Sequence, residues 1–356
     1  MSNNVKLSYC GVSDMGRQRT NNEDAFVVEQ LEENVVLAVV IDGVGGYEGG
    51  EVASEIAKNE IHDYLKQFNR GERIELLKQA VASANNAIFE RRKTDLERPN
   101  MSCVLTSSII DVENKVINMV HVGDTRLYQY HHGELKKLSH DHSLVGYREE
   151  IGDLTEEEAM HHPQRNVIGR DVGSAYHEIA DPDFIEAEQF PLLPNTIFLL
   201  CSDGLTDLVT SKQITTILEK NTALKTKAQE LVAAANEAGG KDNITVVLVE
   251  YKANESKTPQ KTTETTERII PNAPQPIVET IQHEMPRQKP KRKSGLLWIT
   301  ITLLAVAIAL VGYYIWENYD FSISPKSPQN DMQEVIIINN DTVSQGSDST
   351  QQNIRP

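Results

Sequence analysis

Between Val5 and Tyr251, short runs of Val, Ile and Leu recur along the chain, broken by clusters of Gly, Asp and Asn. Buried strands need runs of this kind, so the pattern predicts strands over 35–41, 102–110, 115–122, 126–130, 197–201 and 244–251. Over about 51–65 and 73–92 the period becomes helical. In the second of these, Leu77, Val81, Ala84 and Ile88 form a stripe that predicts a helix with one face in the core. Tight connections at 111–114 and 123–125 join consecutive strands, which favours antiparallel pairing over a wound parallel sheet. The expectation is an α+β domain of stacked layers occupying residues 1–252.

Beyond Tyr251 this pattern stops. Residues 253–294 are rich in Thr, Pro, Gln, Glu and Lys and hold few large apolar side chains, which is the composition of a linker. Residues 295–316, GLLWITITLLAVAIALVGYYIW, carry no charge and no polar face, and as a helix they are long enough to cross about 30 Å of hydrocarbon. Trp298 near one end, with Tyr313, Tyr314 and Trp316 near the other, suits the aromatic belts of membrane interfaces. Arg287, Lys289, Lys291, Arg292 and Lys293 precede this stretch, whereas Glu317 and Asp320 follow it. The positive-inside rule then puts the N-terminal domain in the cytoplasm and leaves residues 317–356 outside, as a short polar tail whose one apolar cluster is Val335 to Ile338. A single-pass protein of the cell membrane is expected, touching lipid through one helix. The N-terminus, MSNNVKLSYC, lacks the apolar run of a secretory signal.

Composition narrows the function. A chain of 356 residues, 39% apolar and 24% charged, can bury one large core and keep residues for a linker and tail. Its net charge of -17 disfavours nucleic acid as a partner, while so many carboxylates suit divalent cations. Cys10, Cys103 and Cys201 are isolated in sequence, which argues for a reducing compartment and against structural zinc.

Four acid-bearing segments stand out: GRQRTNNED at 16–24, VIDGVGGYEGG at 40–50, LCSDG at 200–204 and GGKDN at 239–243. Apolar strands deliver Asp42 and Asp203 into Asp-Gly turns, and Asp242 opens the last strand of the domain. An aspartate at the tip of a buried strand is costly unless a cation or an arginine compensates it. Hard ions such as Mg²⁺ and Mn²⁺ take a few carboxylates and a backbone carbonyl, and no Cys/His cluster competes here. Two such ions sharing a carboxylate activate a water for in-line attack on phosphorus. Arg19, four residues before Glu23, is the candidate for clamping the phosphate, because a guanidinium matches phosphate oxygens bidentately.

These segments, with HVGDTR at 121–126, LSHDHS at 138–143 and HPQRN at 162–166, closely resemble the metal-dependent protein phosphatases, also called PPM or type 2C, in their bacterial branch. The resemblance runs from about residue 5 to 251, with the motifs in the family's order. It implies a β-sandwich of two antiparallel sheets flanked by helices, and hydrolysis of phosphoserine and phosphothreonine in proteins with Mn²⁺ or Mg²⁺. It further implies that Asp42 bridges both metals, that Glu23 and the carbonyl of Gly43 complete one site, and that Asp203 and Asp242 complete the other. Asp141, with Asp203, matches the residues that hold a third, weaker metal. Arg19 matches the phosphate-binding arginine, and about 143–170 corresponds to a mobile flap beside the site. Phosphorylated proteins are the implied partners, and the membrane location adds a serine/threonine kinase in the same membrane.

Two positions depart from the family pattern. Val44 stands where some members carry a histidine proposed as general acid, and Tyr47 where many bacterial members carry another, so the donor to the leaving oxygen is unassigned and a metal-held water is the default. His140 and His142, and the pair His161 and His162, lack a partner cluster at zinc-ligand spacing. Asp124, in a Gly-Asp-Thr turn, is read as capping that turn, and Cys201 as a packing residue. Rival readings are an inactive scaffold, which would have lost a metal ligand, and a receptor sensing through the tail, which has too little apolar sequence to fold alone.

Overall fold

The computed structural model describes residues 5–45, 49–68, 70–179, 181 and 183–253, together with the backbone of 334–338. Its strands are β1 (Val5–Asp14), β2 (Ala25–Glu32), β3 (Val35–Val44), β4 (Ser102–Asp111), β5 (Val116–Val122), β6 (Arg126–His131), β7 (Glu134–Lys137), β8 (Glu186–Pro191), β9 (Thr196–Cys201), β10 (Ile244–Ala253) and β11 (Glu334–Ile338). They form two antiparallel sheets, one in the order β11-β1-β10-β9-β6-β7 and the other β2-β3-β4-β5-β8. The helices are α1 (Gly49–Gln67), α2 (Arg73–Thr94), α3 (Leu144–Glu150), α4 (Glu156–Met160), α5 (Asp203–Thr206), α6 (Ser211–Glu219) and α7 (Leu224–Glu237).

Alternation within the apolar runs explains the layers. Side chains on a strand point to opposite faces in turn, so a run such as VVLAVVI in β3 must bury both faces. Val36, Ala38 and Val40 pack between the sheets with Phe198, Leu200, Val247 and Val249. Their neighbours Leu37, Val39 and Ile41 face outward, onto Ala53, Ala57 and Ile61 of α1 and Leu77, Val81 and Ile88 of α2. On the other sheet, Val246 and Leu248 turn away from the sandwich, toward Ile214 of α6 and Leu231 and Ala235 of α7. The result is four layers, helix on sheet on sheet on helix.

All six expected strands and both expected helices are present, α1 and α2 each running about two residues further than anticipated. Strands β1, β2, β7, β8 and β11 were not anticipated. β1 contains Gly11, over which the Phe26 ring lies so closely that a methyl there would collide with it, and β8 is half-exposed and polar, so neither shows an uninterrupted apolar run. The connection at 111–114 does close a hairpin, with Asp111 Oδ1 accepting the Asn114 N–H at 2.9 Å. The one at 123–125 does not, because β5 pairs with β4 and β8 in one sheet while β6 pairs with β7 and β9 in the other. A short link between two strands of mostly buried residues reads as a hairpin in sequence. Here it crosses the end of the sandwich and leaves Asp124 there.

The expected linker and the apolar stretch 295–316 lie outside the described residues. Among the described residues no helix is long and apolar enough to cross a membrane. Within the region expected as a polar tail, Glu334–Ile338 pairs with β1 opposite residues 9–13.

Phe198 is fully buried between the sheets, so Phe198→Ala should destabilise the fold by about 3–5 kcal/mol. Equilibrium urea unfolding should show a lower midpoint with an unchanged slope.

Candidate active site

The acids converge at one end of the sandwich, delivered by both sheets. Asp42 lies near the end of β3, opposite Val104 of β4. The next residue, Gly43, donates its N–H to the Glu23 carbonyl at 3.1 Å. A methyl on Gly43 would strike the backbone oxygens of Gly50 and Glu23, and one on Gly50 would sit 2.6 Å from the Gly43 carbonyl. This glycine pair lets the start of α1 and the Glu23 loop close against Asp42. From the other sheet, Asp203 opens α5 directly after β9, and Asp242 stands just before β10. Asn243 ties the two halves together. Its Oδ1 accepts the Glu23 N–H at 2.8 Å, while its Nδ2 donates to the carbonyls of Met15 and Asn21 at 3.0 and 2.9 Å.

So many carboxylates raise one another's proton affinity. Burial, then repulsion from Asp24, Asp203, Asp124 and Asp242, pushes Asp42 well above the usual carboxylate range. Asp24 is pushed up to about 7 by burial and by Asp203 and Asp242, against hydrogen bonds from Thr245 and Ser202, whose hydroxyl lies at 2.7 Å. Asp124 is likewise raised to about 7, by burial and Asp203, with Arg165 opposing. Burial and Asp203 raise Asp242, whose Oδ2 accepts Arg19 Nη2 at 2.7 Å. A cluster of this kind calls for added positive charge, and an all-oxygen donor set with a backbone carbonyl at hand fits Mg²⁺ or Mn²⁺.

Glu23, Asp42, Gly43, Asp203, Asp242 and Arg19 are therefore brought together, and Asp141 is not. Its carboxylate, fully shielded from solvent, accepts Arg126 Nη2 at 2.6 Å, Arg126 Nε at 3.0 and 3.1 Å, and Lys137 Nζ at 3.1 Å. Against the penalty of burial, Arg126 and Lys137 hold it well below the usual range. In the metal-free fold Asp141 is thus the counter-ion of Arg126, close enough to Asp124 to raise its proton affinity, and a third ion held there would meet two cations. The acid that does stand beside Asp203 is Asp124, taken from sequence as a turn cap. Asp24 and Asn243 were also missed, although both adjoin residues that were singled out. So was Arg165, which donates to Asp124 at 3.1 Å and pairs with Asp207 at 2.6 Å, tying the segment 143–170 to the cluster.

Among the described residues, the one trio of His, Cys, Asp or Glu ligand atoms within 4.8 Å of one another is His121, His142 and Glu186. Its hydrogen bonds oppose a cation. His121 Nε2 donates to the Gly123 carbonyl at 2.9 Å, and burial depresses that imidazole to about 4, so it is neutral. His142 Nδ1 accepts the Gly123 N–H at 3.1 Å, which leaves the proton on Nε2, facing Glu186. A metal at Nε2 would drive that proton onto Nδ1, against the Gly123 N–H.

Comparison with known proteins agrees with this geometry. Residues 12–248 match the family described as Protein phosphatase 2C. The serine/threonine phosphatase Stp of Listeria welshimeri is 34% identical over 244 residues, covering 67% of this chain and 93% of its own. The phosphatase PhpP of Streptococcus pneumoniae is 32% identical, covering 69% of this chain and 98% of its own. Among solved structures, the Mycobacterium tuberculosis serine/threonine phosphatase PstP/Ppp superposes with a TM-score of 0.61 at 30% identity, covering 69% of this chain and 99% of that one. A structure of the PstP catalytic domain in complex with two manganese ions, 29% identical, gives a TM-score of 0.61 over 70% of this chain and 99% of that one. The chain belongs to the protein phosphatase 2C family and is a protein serine/threonine phosphatase.

Proposed function

We propose that this phosphatase hydrolyses phosphoserine and phosphothreonine in proteins with two Mn²⁺ or Mg²⁺ ions held by Glu23, Asp42, the Gly43 carbonyl, Asp203 and Asp242. The observation that carries this reading is the convergence of Asp24, Asp42, Asp124 and Asp242 around Asp203, with proton affinities raised by their neighbours. The manganese pair in the similar PstP domain supports it. Bound there, such ions supply Lewis acidity and an activated water for attack on phosphorus. The chain's own residues do the rest. Arg19, more than a third exposed and bonded to Asp242, stands at the rim, where it can turn its guanidinium onto the substrate phosphate. Ser202 and Thr245 orient Asp24, and Asn243 fixes the backbone of Glu23. A further ion beside Asp203 would draw on Asp124, with Arg165 as the group it displaces. A scaffold without activity is disfavoured, since none of the expected acids is missing.

The same proposal sets the domain at the cytoplasmic face of a membrane, anchored through 295–316, with substrates phosphorylated by a kinase of that membrane. The uncharged apolar run and the Lys/Arg bias before it support this. The pairing of 334–338 with β1 counts against this part of the proposal, because a chain crossing the membrane at 295–316 would carry 334–338 to the opposite side from its own domain. Carbonate extraction and external protease on opened cells should leave the domain intact with the membranes and trim only the C-terminus. Digestion of the domain, or its release by carbonate, would remove the anchor from the proposal.

Asp42→Asn should abolish turnover of a phosphothreonine peptide at any Mn²⁺ concentration. Arg19→Ala should keep Mn²⁺ affinity and lower kcat/KM by about 10–1000-fold, which peptide kinetics beside calorimetry will read. Asp141→Ala should leave Mn²⁺ binding at the two main sites in place but destabilise the fold by about 2–4 kcal/mol, because buried Arg126 would lose the more deeply buried of its two carboxylate partners and keep only Glu149. The raised carboxylates hold protons in the metal-free fold up to about pH 7, so their contribution to its stability falls as pH rises through that range. Added Mn²⁺ should therefore raise the thermal midpoint more at pH 8 than at pH 6.

A further inference from the structure

Among the described residues, four of the nine exposed large apolar side chains lie in one place. Leu144, Tyr147 and Ile151, each 58–59% exposed, recur at the first, fourth and eighth positions of α3 and its C-cap, so they share one face. Val167, 58% exposed, adjoins them, because Ile168 bridges to Ser143 at the start of that helix. The opposite face of α3 is fixed. Val145 and Gly146 are buried, Glu149 accepts Arg126 at 2.8 Å, and Glu150 pairs with Lys137 at 2.6 Å. The helix cannot roll to cover the stripe without breaking those ion pairs. Scattered exposed apolar residues are ordinary, but an aligned stripe on an anchored helix marks a binding surface.

We propose that this stripe docks the polypeptide flanking the phosphorylated residue of a protein substrate, taking an apolar side chain accompanied by basic ones. The proposal rests on the phosphatase reading above. Continuity with the acid cluster selects this occupant. His142, two residues before Leu144, exchanges hydrogen bonds with both backbone groups of Gly123, the neighbour of Asp124, and Arg165 near the far end of the same segment bonds Asp124 itself. Substrate residues three to five positions from the phosphate lie up to about 10–18 Å from it, a reach of the same order as the about 10 Å length of α3. Charge selects the flank. Asp153 is paired with Arg148 at 2.7 Å, but Glu157 and Glu158 are exposed beyond Ile151 with no cation paired to them among the ion pairs of the described residues, and the chain carries -17, so acidic flanks are repelled and basic ones attracted.

The test compares full-length wild type with the Tyr147→Ser/Ile151→Ser double variant, and with each single variant, on three Mn²⁺-dependent substrates: para-nitrophenyl phosphate, a phosphothreonine peptide with Leu and Arg at three to five positions from the phosphate, and the same peptide with Ser and Asp there. Wild type should prefer the Leu/Arg peptide. The double variant should raise KM for that peptide about tenfold at unchanged kcat, equivalent to about 1.4 kcal/mol, and leave the other two substrates within twofold. Equal losses on all three substrates would assign the stripe to folding of the segment and overturn the proposal, as would an unchanged KM for the Leu/Arg peptide. A change from dimer to monomer in the variant's sedimentation would overturn it in favour of contact between copies. If wild type failed to hydrolyse para-nitrophenyl phosphate, the parent reading would fail and take this one with it.

Discussion

Mutual repulsion among carboxylates at one end of the sandwich is the constraint on which the rest depends. Asp24, Asp42, Asp124 and Asp242 all feel Asp203, and burial strengthens each repulsion by removing water. Only added positive charge makes such a cluster tolerable at neutral pH. The chain supplies part of it itself, through Arg19 on Asp242 and Arg165 on Asp124, and both contacts lie where a phosphate or a metal ion would compete for them. The site's affinity for cations and its instability without them have the same electrostatic origin.

The scaffold makes that crowding possible. Strands buried on both faces, such as β3 and β9, are fixed by packing against the opposite sheet on one side and helices on the other. Their ends therefore hold position even where their last residues repel one another. Close backbone approach at Gly43 and Gly50, and the three hydrogen bonds of Asn243, bring loops distant in sequence to within reach. A separate, fully paired network of Arg126, Asp141, Lys137, Glu149 and Glu150 anchors α3 beside the site.

Much of this is legible in the sequence. Asp42 and Asp203 announce themselves because apolar runs lead into them, and the stripe of α2 follows from its period. Less legible were elements whose signal is split between neighbours. β1 and β8 alternate weakly because part of each faces solvent or carries a glycine, and β7 is too short to show a period. The link at 123–125 has the length of a hairpin, and nothing local tells that its two strands belong to different sheets. That one ambiguity hid Asp124, whereas Asp141 was named on resemblance alone. Two acids of similar local sequence are told apart only by their tertiary partners, Asp203 for one and Arg126 for the other.

Titration calorimetry of Mn²⁺ into metal-stripped full-length protein, run in buffers of different ionisation enthalpy, tests the electrostatic account most directly. Protons held by the raised carboxylates must leave as the ions enter, so the account predicts at least two ions bound with net proton release near pH 6.5. Absence of Mn²⁺ binding, or binding with no proton release, would contradict it.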